Sequence, residues 1–189
     1  MLGRCLAVPA TAGILLLTAC SPVAAHPATE FTSSALYSGK TCHARHINES
    51  DPQAWLPDPT CTPGAANPAV TIGMICPVAH TKQWRPPVSY TNNLKSQQLA
   101  AYDYVDSRGD HPQTAASTEE DHLIPLALGG APRDPRNLWP EVHPSFNEKD
   151  GVESAAHDAV CRGALTLPQA QQGIALNWIA LGQRLGVKN

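Results

Sequence analysis

The clearest periodic signal lies near the C-terminus, where Ala170, Ile174, Trp178 and Leu181 recur at helical spacing and form one apolar stripe. Thr166 and Pro168 open this helix, because threonine caps a helix start and proline suits the first turn. The stripe reads as core packing, not as a binding groove. Ser145 is placed to cap an earlier helix over 146–162, with Gly163 as its stop. A further helix is expected from Asn92 or Asn93 through Leu94, Gln98, Ala101, Tyr102 and Val105. Val70-Thr-Ile-Gly-Met-Ile-Cys76 is a short apolar, β-branched run that suits a strand, with a helical turn as the alternative. Short strands are expected at 120–124 and 137–139, either side of a glycine- and proline-rich loop at 129–135. Gly109, Asp110 and Pro112 mark another loop. Helices and short strands together predict an α+β fold.

No such periodicity runs through the N-terminal part. Ten of the 18 prolines lie from Pro22 to Pro87, and only Pro168 follows Pro144. An irregular segment therefore gives way to one free to be helical. Residues 20–60 read as a tether rich in proline, alanine and serine, and residues 61–189 as one domain starting near Cys61-Thr-Pro-Gly64. Residues 1–19 carry one charge, Arg4, and an apolar run shorter than the roughly 20 residues of a membrane span. They end in small residues, as a cleaved export signal does. No later stretch is apolar and long enough to span a bilayer. The ending Leu17-Thr-Ala-Cys20 resembles the bacterial lipoprotein lipobox. That resemblance implies cleavage before Cys20, lipid (palmitate among it) on the Cys20 sulfur, and a mature chain anchored outside the cytoplasm on the bacterial envelope membrane. A plain secretory signal is the alternative.

Export changes the cysteine count. Cys5 leaves with the signal and Cys20 is lipidated, which leaves Cys42, Cys61, Cys76 and Cys161. An even number outside the cytoplasm points to two disulfides, with three pairings open. Cys42–Cys61 with Cys76–Cys161 is the preferred one, the second tying the start of the domain to a C-terminal helix. No paired C-x-x-C is present, which argues against a four-cysteine zinc ribbon. Cys42-His-Ala-Arg-His46 has metal-site composition, yet His43 and His46 read as solvated residues beside a structural cysteine. The formal charge of −3, which becomes −4 without Arg4 (12 basic against 16 acidic), excludes a general basic coat for nucleic acid.

One stretch concentrates chemistry. Glu119-Glu-Asp121-His122-Leu-Ile-Pro125-Leu-Ala-Leu-Gly129-Gly130 is followed by Arg136-Asn137-Leu-Trp139-Pro-Glu141 and then Asn147-Glu-Lys149-Asp150. Strand, loop, strand and helix thus gather a carboxylate, an imidazole, two amides and a lysine. Over residues 120–150 the ordered set resembles the HNH endonucleases, the ββα-metal or His-Me finger group. A looser likeness to secreted bacterial HNH proteins, carried by Asp-His-Leu-Ile-Pro, Asn-Leu-Trp-Pro and Val-Cys-x-Gly, extends over most of 61–180.

The resemblance implies a ββα-metal core with additional packing helices and a role for each motif residue. His122 is the general base, since a neutral imidazole with pKa near 6.5 suits proton abstraction around neutral pH. Asp121 and Asn147 hold a divalent cation, and oxygen donors suit Mg²⁺, with Mn²⁺ as the alternative. Asn137 holds the loop and so orients His122. Lys149 contacts phosphate as a point charge. Many family members carry histidine where Asn147 stands, and this departure weakens any case for zinc. His143 precedes Pro144 and is expected ahead of the helix. Asp121 and His122 are adjacent, so they share one site only if the strand ends or bulges there. Glu119 and Glu120 read as an exposed acidic strand end, with orienting His122 or the metal waters as the alternative, and mid-helix His157 reads as solvated or as capping a packing gap.

Outside the motif, Lys82, Trp84 and Arg85 make a small basic-aromatic patch to which Lys95, Arg133 and Arg136 can add. Arg85 could grip a backbone phosphate there. The competing reading is a buried tryptophan beside ordinary surface charges. The function these features imply is a membrane-anchored, metal-dependent nuclease for DNA or RNA with little sequence preference, because phosphate contacts carry no sequence information. A non-catalytic envelope lipoprotein using the finger as a binding or structural module is the alternative. Hydrolysis of another phosphodiester is a third reading. Neither a Gly-x-Ser-x-Gly elbow nor a His-Glu-x-x-His helix is present, which argues against serine hydrolase and zinc protease chemistry.

Overall fold

Cys42-His-Ala-Arg-His46 alternates buried and outward side chains, and it forms the first strand, β1 (Cys42–His46). The computed structural model describes Tyr37, Gly39 and residues 41–77, 80–143 and 146–187. β1 sits in a four-stranded sheet with β2 (Trp55–Leu56), β3 (Tyr102–Asp106) and β4 (Gly109–Asp110), in the order β2-β1-β3-β4. β1 and β3 run parallel, from Cys42 opposite Tyr102 to Arg45 opposite Val105, and the other two pairings are antiparallel. Folded structure therefore begins ahead of the boundary expected at residue 61. The prolines at 52, 57 and 59 flank β2 without entering it, so they shape turns inside the domain.

The helices differ from expectation at their ends. The run at 70–76 contains the helical alternative, a single turn α1 (Ile72–Ile75). The next helix, α2 (Val88–Leu99), starts at Pro87 and stops before Tyr102. Tyr-Asp-Tyr-Val-Asp then continues as β3, because aromatic and β-branched residues alternating at period two favour a strand. Tyr102 and Tyr104 are buried with Leu94, Trp55, Leu138 and Trp139 in one core cluster. A second hairpin, β5 (Thr118–His122) with β6 (Leu138–Val142), pairs from Thr118 opposite Val142 to His122 opposite Leu138.

The last two helices are α3 (Glu148–Cys161) and α4 (Leu167–Leu185). Asn147, not Ser145, caps α3, with Asp150 completing a capping box. Thr166 caps α4 as expected, and the stripe of Ala170, Ile174, Trp178 and Leu181 lies in the second core cluster. α4 is kinked at Asn177, whose backbone is non-helical and whose Oδ1 accepts the Ala180 N–H at 2.9 Å, restarting the helix. The architecture is α+β, with four helices and two sheets among the described residues.

Two disulfides join Cys42 to Cys61 and Cys76 to Cys161, closing loops of 19 and 85 residues. Cross-links of this kind contribute on the order of 2–4 kcal/mol each. The second ties α1 to the end of α3, where His157 Nε2 also meets the Ile75 carbonyl oxygen at 3.1 Å. His157 is thus a half-buried tie between helices, not a solvated residue. The expected signal at 1–19 and the lipidation site Cys20 lie outside the described residues. No helix among the described residues is long and apolar enough to cross a membrane.

Candidate active site

Among the described strands β5 pairs with β6 alone, and a cleft of about 150 Å³ adjoins β5. Arg85, Glu119, Glu120, Asp121, His122 and Glu153 line it. The strand stays in register through His122, so Asp121 and His122 point to opposite faces, and neither a bulge nor an early strand end intervenes. Both residues nonetheless line one cleft.

The loop after β5 folds tightly on itself. Gly129 is left-handed, with φ +74°, and a Cβ on Gly130 would lie 1.8 Å from the Ile124 carbonyl oxygen. No side chain fits at the second glycine, which accounts for the Gly-Gly of the motif. Asn137 locks this loop from inside. Fully buried, it accepts the N–H groups of Ala65 and Ile124 at Oδ1 and donates to the carbonyls of Ile124 and Ala131 from Nδ2, all between 3.0 and 3.2 Å. The residue after Ala131 is Pro132, whose carbonyl lies 3.0 Å from His122 Nε2.

That contact defines the imidazole. A carbonyl only accepts, so Nε2 carries the proton and Nδ1 holds the free lone pair. His122 is buried, and burial lowers its pKa from the ordinary value, against the pull of the Pro132 hydrogen bond and the Asp121 charge. It is neutral at pH 7. Asn137 thus holds the Ala131 carbonyl, one residue ahead of the Pro132 carbonyl that meets His122.

The opposite face of the hairpin is crowded with carboxylates. Oxygens of Glu119, Asp121 and Glu141 lie within 4.8 Å of one another. Lys149, 1% exposed, reaches into this group from α3, with Nζ 2.5 Å from Asp121 Oδ2 and 3.0 Å from the His122 carbonyl, and it also pairs with Glu153. Burial works against the lysine charge, but the carboxylates of Asp121, Glu153 and Glu141 outweigh it and hold the pKa well above the ordinary value. Lys149 is therefore an internal counter-ion and not the expected exposed phosphate contact. Burial pushes Glu153 up to about 7 against the pull of Lys149, and it raises Glu141 well above the carboxylate range, with the Asp121 charge adding.

Asn147 stands at the rim of the cluster. Its Oδ1 accepts the Asp150 N–H at 3.3 Å and its Nδ2 donates to Glu119 Oε1 at 2.9 Å. The carbonyl oxygen expected to hold a cation is thus engaged as a helix cap, and the carboxylates gather beside it instead. Sequence reasoning missed Glu141 and Glu153. Glu141 could have been found from the register, which sets it opposite Glu119, and Glu153 from its place one helical turn beyond Lys149.

Of the basic-aromatic patch, only Arg85 reaches the cleft, with an exposed side chain that forms no ion pair among the described residues. Trp84 packs against the core and Lys82 is exposed. Lys95 Nζ is bound to the carbonyls of Ala115 and Thr118, and Arg136 is forked onto Asp134. His143 lies ahead of α3 as expected, in a left-handed conformation.

Glu120 is not an exposed strand end. Both its carboxylate oxygens are buried with no hydrogen-bond partner among the described residues. Burial, then the Asp121 charge, raises its pKa well above 4.5 despite Lys95. The folded chain then binds a proton more tightly there than the unfolded chain. Its contribution to stability is fully present below pH 4.5 and is lost as pH rises through the folded pKa. We predict that urea titrations from pH 4.5 to 8 show this decline in the wild type and a flatter profile in Glu120→Gln. Parallel profiles would refute it.

Comparison of the chain with models of known protein families, with curated proteins and with solved structures finds no match to any of them.

Proposed function

We propose that the cleft is the active site of a metal-dependent phosphodiesterase, an HNH-type endonuclease that hydrolyses DNA or RNA with little sequence preference. The observation that carries this reading is His122, a neutral imidazole whose proton is fixed on Nε2 by Pro132, lining a cleft that carboxylates also line.

The donor set fits a hard divalent cation. Glu119, Asp121 and Glu141 offer oxygens within 4.8 Å of one another, and Glu141 Oε2 is buried without a hydrogen-bond partner among the described residues. Such all-oxygen sets suit Mg²⁺ or Mn²⁺ and not zinc. Asp121 and Glu119 would hold the ion, with Asn147 bracing Glu119 instead of ligating directly. When bound, the cation neutralises phosphoryl oxygens and stabilises the departing oxygen.

The chain supplies the remaining chemistry. His122 Nδ1 takes the proton of the attacking water, and the Pro132 carbonyl stabilises the imidazolium that results. Asn137 keeps that carbonyl in place. Arg85, exposed at the cleft, pairs with a phosphate flanking the scissile bond. Contacts of this kind read the backbone and not the bases. Two disulfides accord with a location outside the cytoplasm, where the proposed Cys20 lipid would tether the enzyme to the membrane.

One observation favours a second reading, a non-catalytic envelope module. Lys149 already pairs with both Asp121 and Glu153 and supplies one positive charge to the cluster without a cation. Incubating the purified mature chain with supercoiled plasmid separates the two. The nuclease reading predicts nicking with Mg²⁺ or Mn²⁺ that stops in excess chelator. It also predicts an acid limb of kcat/KM below pH 6.5, because burial lowers the pKa of the base. Plasmid left intact with both cations, or cut in the presence of chelator, would overturn it.

A further inference from the structure

A second group of metal-ligating side chains lies on the four-stranded sheet, in residues the proposed hydrolysis does not use. His46 ends β1, and its side chain is 1% exposed instead of solvated, stacked on Trp55 with ring centroids 4.5 Å apart. Its Nε2 lies 2.8 Å from the Asp51 carbonyl oxygen, so Nε2 carries the hydrogen and Nδ1 the lone pair. That Nδ1 is buried and has no hydrogen-bond partner among the described residues. It faces Asp106 Oδ2 at 3.3 Å and Glu49 Oε2 at 3.9 Å.

A lone pair held against two carboxylates is unfavourable in a buried place unless something positive lies between them. The spacing fits a cation. Zinc bonds of about 2.0–2.1 Å in tetrahedral array put neighbouring ligand atoms about 3.3–3.4 Å apart, and the His46–Asp106 distance is 3.3 Å. Outer contacts of the kind that orient ligands are also in place. The Asp51 carbonyl fixes the His46 tautomer, and His111 Nε2 lies 2.8 Å from Asp106 Oδ1.

Arg108 now covers the group. Its guanidinium is 2.6 Å from Asp106 Oδ2 and 3.5 Å from Glu49 Oε2. The arginine side chain is 55% exposed, leaving it room to swing outward.

We propose that His46, Asp106 and Glu49 form a binding site for a zinc-class divalent cation, with Arg108 as a placeholder that the ion displaces. A bound ion would clip the end of β1 to the β3–β4 turn. The site is independent of the proposed nuclease cleft. The competing account is a charged His46 in a metal-free ion-pair network.

Co²⁺ titration of the full mature chain, stripped of metal and followed by visible absorption, tests the assignment. We expect one equivalent bound with the intense bands of a tetrahedral nitrogen–oxygen site, and displacement by Zn²⁺. The exposed Glu49→Gln change should weaken affinity at least about tenfold without unfolding the chain, and Asp106→Asn should do likewise. Arg108→Gln should tighten binding by removing the competing charge. Asp121→Ala should leave the spectrum unchanged. Absence of the tetrahedral bands, wild-type affinity in Glu49→Gln, or their loss in Asp121→Ala would each overturn the assignment. A spectrum retained in a chain that fails to nick plasmid would separate this site from the nuclease reading.

Discussion

His122→Ala is expected to lower metal-dependent plasmid nicking by about 10²–10⁴-fold, the usual contribution of a positioned general base. The size follows from how fully the ring is prepared. Burial keeps it neutral, Pro132 assigns its proton, and the Asn137 clamp holds Pro132. Its two neighbours on β5 are poorly placed to replace it. Glu120, on the same face of β5, is pushed toward its protonated form, while Asp121 is paired with Lys149. A matching melting curve for the variant shows that the loss is chemical. Nicking at the wild-type rate in His122→Ala would remove this residue from the mechanism.

Lys149→Met is expected to lower stability by about 3 kcal/mol, the low end of what breaking a buried ion pair costs. The lysine is 1% exposed, but Asp121 and Glu153 keep 18% and 21% of their side-chain surface, so water partly compensates them. For a chain of this size the melting temperature should fall by roughly 6–12 °C. Adding Mg²⁺ separates the two functional readings. If the carboxylates hold a cation, their affinity rises once the lysine charge is gone, and the ion restores much of the lost stability. A melting temperature within about 2 °C of wild type would show that the pair is not structural. Full loss with no recovery in Mg²⁺ would favour the non-catalytic module.

These effects depend on contacts that were unevenly legible in the sequence. The α4 stripe was readable because period 3.6 is a local property and all four positions face the same core. The hairpin was readable because Asp-His, Gly-Gly and Asn-Leu punctuate it, although its strands begin or end up to three residues from expectation. β1 and β2 read as tether in the sequence because β3, the long partner of β1, lies far along the chain, and Pro52 between the two strands hides their own short pairing. Tyr102 and Val105 fit a helical stripe and a strand equally well, and only the sheet decides between them. At the site, the structure brings Asp121 and His122 to one cleft, while Asn137 lies buried behind the adjoining loop. Lys149 departs from expectation for a physical reason. A lysine is ordinarily solvated, and what keeps this one inside is the sum of three carboxylate charges from two strands and a helix.

The parallel pairing of β1 with β3 sets an order of events in folding. Cys42 meets Tyr102 only after α2 has formed between them or been carried past, so this closure is slow compared with the local β5–β6 hairpin. Linking Cys42 to Cys61 shortens the wandering segment before β3 arrives. An oxidising compartment would then act on this chain as a timer as well as a reinforcement, letting β1 wait, already folded back, for the strand it must join.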